Sequence, residues 1–153
     1  MAGSRRPGSR PRKVERRLAR AAALVLAWEK ARARRTRIEL TLLAPAAMRG
    51  LNRRATGRRG ITDVLAFALP QPDGTILGDV YLSRAAARDW VRRNGGSGKG
   101  EAGRVEEELV RLAVHGTLHV LGYDHPEGDH RTRSAMWRRQ ERYVKRLLRT
   151  SDS

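Results

Sequence analysis

His115-Gly116-Thr117-Leu118-His119-Val120-Leu121-Gly122-Tyr123-Asp124-His125 is the stretch on which the reading of this chain turns. All four histidines of the sequence fall between His115 and His130. His115 and His119 are four residues apart in a run, Arg104 to Leu121, with helical periodicity. That spacing stacks two side chains on one helical face, with Cβ atoms roughly 5–6 Å apart. Two imidazoles so placed reach one metal ion at about 2.0–2.1 Å from each nitrogen. Gly122 tolerates positive φ, ends the helix and turns the chain back, so that His125 can close a third side. Three neutral nitrogens with one position left open is the pattern of a catalytic zinc site rather than a structural one. One zinc ion per chain is therefore expected, held by His115, His119 and His125. His130, near a polar turn, reads as a surface residue.

On a helical wheel Val105, Leu109, Leu112, Ala113, Gly116 and Val120 share one side, widened by Val110, Val114 and Leu121. An arc that broad predicts a central helix packed over most of its circumference. The histidines sit at its edge, beside Glu108 and Arg111. The same H-x3-H-x2-G-x2-H spacing occurs in zinc peptidases, where a Glu follows the first His as general base. Here that position is Gly116, which cannot take a proton from water. The metal grip is kept and the peptidase base is absent, which argues against peptide hydrolysis.

This histidine block, with Leu51-Asn52, Thr62-Asp63-Val64-Leu65 and Leu77-Gly78-Asp79-Val80 upstream, resembles the bacterial YbeY family. The likeness runs from about Ile38 to Leu148, with the blocks in the family's order. It implies a zinc-dependent, single-strand-specific endoribonuclease. It also implies a place in small-subunit ribosomal RNA maturation and ribosome quality control, with ribosomal RNA and the small ribosomal subunit as partners. The family's aromatic-arginine pair falls here on Ala55 and Thr56, and the histidine that often stands one turn before the first ligand is Arg111. Arg54 or Arg58 would have to fill the space of the family's arginine.

The 153 residues suit one domain, here residues 14–149, with enough chain to bury a core. The absence of cysteine removes disulfides and thiolate ligands and fits a reducing cytoplasm. Lys plus Arg number 33 against 16 acidic residues, a net charge of +17, which points to a polyanionic partner. With one Phe, three Trp and three Tyr, no base-stacking platform is evident. Residues 1–13, rich in Arg, Pro, Gly and Ser, read as a disordered basic arm. Val14, Leu18, Ala21, Val25 and Trp28 then make a helical stripe, so the run around them reads as an amphipathic helix and not an export signal. No run approaches the ~20 apolar residues that span a membrane.

Thr36 to Leu43 alternates as a strand, and Pro45 opens a short helix carrying Met48 and Leu51. Thr62 to Phe67 and Thr75 to Leu82 are strands joined by a turn containing Asp73-Gly74. The mid-strand Asp79 is expected to be a structural hydrogen-bond acceptor, since a buried carboxylate needs a partner. Ser83 caps a helix with Ala86, Trp90 and Val91 inward, a flexible Asn94 to Gly100 link follows, and Met136 to Leu148 is a closing helix. The predicted fold is α+β: a small mixed sheet of three or four strands covered by helices, with a central metal-binding helix. A fourth strand would require the place that the basic arm occupies.

Arg53, Arg54, Arg58 and Arg59, in a loop around Gly57 and Gly60, are candidate phosphate contacts, as is Arg111. Asp124 is the carboxylate nearest in sequence to a ligand, either fixing a histidine ring or acting as general base; Arg58 is the other candidate catalytic side chain. The residues do not choose between water and the RNA 2′-hydroxyl as nucleophile. Two other classes remain: a non-enzymatic RNA-binding assembly factor with a structural metal, and a metal-dependent hydrolase of another substrate.

Overall fold

The computed structural model describes residues 12–60, 62–96, 100–126 and 133–151. Residues 1–11 of the expected arm, 97–99 of the link, 127–129 of the polar turn and His130 lie outside them. The described chain runs α1 (Lys13–Glu29), a 3-10 turn (Lys30–Ala33), β1 (Thr36–Leu43), α2 (Pro45–Thr56), β2 (Val64–Pro70), β3 (Ile76–Ser83), α3 (Arg84–Asn94), α4 (Glu101–Val120) and α5 (Ala135–Ser151). Lys13 therefore belongs to the first helix and not to the arm.

The sheet has three strands among the described residues, in the order β1-β3-β2. β1 pairs with β3 in parallel and β2 with β3 antiparallel, so the sheet is mixed as expected. The parallel pair needs a crossover, and α2 lies within it, packed on β3. Pro45 starts α2, where its missing N–H costs nothing. Ser83 caps α3, its Oγ accepting from the Ala86 amide at 3.1 Å.

Alternation sends Ile38, Leu40 and Leu42 of β1, Val80 and Leu82 of β3 and Val64 and Ala66 of β2 into one core with α1 and α4. α4 is the axis of that core, in contact with α1, α3, α5, β2 and β3. Its buried residues go nearly all round the helix, from Val105 through Leu109, Val114 and Leu118 to Val120. The helix meets the sheet so closely that two glycines are needed. A Cβ on Gly116 would lie 2.5 Å from a Val80 methyl, and one on Gly78 would lie 2.6 Å from methyls of Ile38 and Val120.

Three expectations change. Asp79, beside the inward Gly78 and Val80, turns to the opposite face, in register with Glu39 and Phe67. It is half-buried there and makes no side-chain hydrogen bond among the described residues, because at a partly solvated face none is required. Burial first, then the charges of Asp79 and Glu39, push the nearby Tyr81 hydroxyl up. Trp90 is 43% exposed: the buried stripe of α3 is Ala87 and Val91, and Trp90 falls beside it. Arg53 and Arg54 stand on the last turn of α2, with only Arg58 and Arg59 in the segment beyond it.

Candidate metal centre

The end of α4 builds the site. The Tyr123 amide donates to the Leu118 carbonyl and the Gly122 amide to that of His119, at 3.0 Å each, with Gly122 at φ 93°. That reciprocal pair is a Schellman closure, and it reverses the chain just after His119. His125 returns against the helix as a result. The Nε2 atom of His115 lies 3.0 Å from that of His119 and 3.3 Å from that of His125.

The other ring nitrogens explain why those atoms converge. His115 Nδ1 is 2.6 Å from the Gln140 side-chain oxygen, His119 Nδ1 3.0 Å from the Tyr123 carbonyl, and His125 Nδ1 3.0 Å from the Pro126 carbonyl. A carbonyl oxygen only accepts, so each Nδ1 carries the ring proton and each Nε2 keeps its lone pair. Three lone pairs facing one another repel unless a cation lies between them. Tetrahedral ligation at the usual Zn–N length puts neighbouring nitrogens about 3.3 Å apart, close to the 3.0 and 3.3 Å that separate His115 Nε2 from the other two. The donor set therefore fits a zinc-sized ion, with imidazole the only ligand type among these residues.

The structure brings His115, His119 and His125 together as the sequence spacing requires. His115 is buried, and the other two are half-buried. The oxygens that orient the rings come from Gln140 of α5 and from backbone carbonyls, none of which the spacing could reveal. Gln140 is 1% exposed and its amide nitrogen donates to Glu141. Asp124 is exposed, and its carboxylate accepts the His125 amide at 2.8 Å rather than any histidine ring.

Arg111 is gripped by two carboxylates, Glu141 at 2.8 Å and Glu108 at 3.0 Å. Its partners hold its pKa up against burial, while burial outweighs Arg111 in raising Glu108. Arg53, Arg54, Arg58 and Arg59 are all exposed. The Thr56 hydroxyl is spent locally, donating to Asn52, whose buried amide in turn donates to the Gly60 carbonyl. Asn52 thus ties the end of α2 to Gly60, across the segment that carries Arg58 and Arg59.

A second anchor holds the turn after α4. Glu29, its side chain only 4% exposed, accepts from the hydroxyls of Tyr123 at 2.9 Å and Tyr143 at 2.8 Å and pairs with Arg139. α1, α5 and the histidine turn are joined at that carboxylate. Burial first and Glu29 second raise both tyrosines.

The "Endoribonuclease YbeY" of Anaeromyxobacter sp. (strain Fw109-5) is 40% identical over 119 residues, covering 76% of this chain and 57% of that protein. That of Pelotomaculum thermopropionicum is 37% identical, covering 72% of this chain and 71% of that protein. The chain thus spans less than two thirds of the length of several such relatives, 58% for the Helicobacter pylori (strain Shi470) protein. The solution structure of TM1509 from Thermotoga maritima superposes with a TM-score of 0.62 at 24% identity, covering 97% of this chain and 88% of that one, a likeness of fold. The family model described as "Endoribonuclease YbeY" matches residues 8–148. Because that match takes in the sheet, the metal helix and the closing helix alike, the chain belongs to the YbeY family.

Proposed function

We propose that this chain is a zinc-dependent endoribonuclease that cuts single-stranded RNA, with ribosomal RNA of the small subunit as its substrate and the cytoplasm as its place of work. The observation that carries the reading is the set of three Nε2 lone pairs, each aimed by a carbonyl behind it, in a chain without the peptidase carboxylate. The names of the relatives supply the substrate class. No described helix is long and apolar enough to cross a membrane.

His115, His119 and His125 would hold the zinc ion, which would supply positive charge beside the reacting phosphate and lower the pKa of water. The protein's part is to keep that centre rigid and open. Gln140 and the Tyr123 and Pro126 carbonyls fix the rings. The exposed Arg53, Arg54, Arg58 and Arg59 neutralise backbone phosphates, and Arg58 serves the charge that builds on the phosphoryl group. Asp124, exposed and accepting from the His125 amide, is the carboxylate to which we assign the proton.

Cleavage of a single-stranded RNA by the zinc-loaded protein, beside His119→Ala, tests this. Wild type should cleave, His119→Ala should not, and both should shift the same RNA in a gel. Equal cleavage by the two in metal-free buffer would end the nuclease reading and leave an RNA-binding assembly factor.

A further inference from the structure

We propose that the cavity on the flank of His115 is a nucleobase pocket that selects guanine beside the cleaved phosphate, a proposal that rests on the ribonuclease reading above. The cavity holds about 430 Å³, the size of a small-molecule site. His115 and its partner Gln140 both line it, so one imidazole ring is common to the cavity and the metal centre. Two of the chain's three tryptophans, Trp90 from α3 and Trp137 from α5, line it. They stand 47 positions apart in sequence, Trp90 exposed and Trp137 half-buried, and the fold brings both to this one cavity. A base stacked on an indole gains affinity whatever its identity.

Charge decides which base. Glu108 and Glu141 also border the cavity, but both are committed to Arg111. Asp63 remains. It is half-buried, it lines the same cavity, and its side chain takes no hydrogen bond among the described residues. An ionised carboxylate is acceptor-only, with two oxygens side by side. Its complement is an edge with two adjacent N–H donors. Guanine offers N1–H and N2–H in that arrangement. Adenine and cytosine pair one donor with an acceptor, and uracil sets one donor between two acceptors. Asp63 therefore fits guanine and leaves an unmet or repulsive contact with the others. Trp90 is the largest exposed apolar side chain of the described chain, and this role accounts for its exposure.

The test uses the full zinc-loaded chain, with guanosine and uridine 5′-monophosphates titrated against tryptophan fluorescence. Their phosphates are the same, so any difference belongs to the base. Guanosine monophosphate should quench the fluorescence saturably and bind at least about tenfold more tightly than the uridine nucleotide, the worth of one good base contact. Asp63→Asn should erase that preference, and Trp90→Ala should weaken guanosine monophosphate about tenfold or more. In single-stranded RNAs differing at one base, cutting should concentrate beside guanine in wild type and spread in Asp63→Asn. Equal affinity for the two nucleotides, or a preference that survives Asp63→Asn, overturns the pocket. RNA cut without base preference would sink the pocket and leave the nuclease standing. Selective guanosine monophosphate binding without any RNA cleavage would do the reverse.

Discussion

Gly116 shows how one missing side chain serves both packing and chemistry. Glycine inside a helix costs about 1 kcal/mol relative to alanine, so its place in α4 needs a compensating reason. The reason is Val80: a Cβ at position 116 would lie 2.5 Å from one of its methyls and 3.2 Å from Val64. Overpacking of that kind costs about 1–3 kcal/mol, which exceeds the helical gain. Gly116→Ala should therefore lower the melting temperature by a few degrees, at about 2–4 °C per kcal/mol for a chain of this size. Gly116→Glu should be worse, adding an unpaired carboxylate to the core at several kcal/mol, and it should yield no peptidase. Thermal unfolding of both variants beside wild type measures this, and an unchanged melting temperature for Gly116→Ala would mean that the helix can back away from the sheet. Gln140 makes a complementary case. Its oxygen fixes the His115 ring, so Gln140→Leu, which keeps the volume and loses the acceptor, should weaken zinc binding about 10–100-fold. Calorimetric titration of zinc into the stripped variant would show it, and wild-type affinity there would leave Gln140 a packing residue only.

Among the elements, α1 and α5 clamp the metal turn through Glu29. Folding holds the Tyr123 and Tyr143 hydroxyls on that carboxylate and raises both above the ordinary tyrosine range. Above about pH 10 the unfolded chain has then lost phenolic protons that the folded chain retains. Stability should consequently be intact below pH 10 and fall as pH rises through the folded-state values. Tyr143→Phe should flatten that alkaline decline, which chemical denaturation at pH 9, 10 and 11 would detect; a decline as steep as in wild type would show that Glu29 and burial do not govern it. Element-level patterns also explain what could be read before the fold was seen. α4 was legible because a 3.6-residue period, a histidine pair and a helix-ending glycine all fall within one short stretch. The strands were legible from alternation, within two or three residues at their ends. Gln140, the Glu29 clamp and the cavity lined by both Trp90 and Trp137 were not, since each joins segments distant in the chain and carries no local period. Asp79 misled for a related reason. Alternation gives two faces, and only Gly78's contact with Val120 says which one is packed.

The whole molecule carries a net charge of +17. Arg17, Arg92, Arg111 and Arg139 are paired with carboxylates among the described residues, and such pairs hold elements together without adding to the outward field. Arg53, Arg54, Arg58 and Arg59, at and just beyond the end of α2, are all exposed. Surplus charge of this kind binds a polyanion by releasing counterions, which makes affinity a function of salt rather than of shape. On single strands each neutralised phosphate contributes about 0.7 to the slope of log affinity against log salt. Replacing those four arginines by alanine should therefore lower the slope by as much as about 2.8, four contacts' worth, while zinc binding at the histidines stays as it was. Removing residues 1–11, which include Arg5, Arg6 and Arg10, should lower the slope as well. Arg111→Ala should instead lower stability, because it leaves Glu108 buried without its cation. Salt titrations of RNA binding on wild type, the quadruple variant and the truncation separate these contributions. A slope unchanged in the quadruple variant would place the RNA on some other face of the protein, and Arg58 would then lose its role at the phosphoryl group as well.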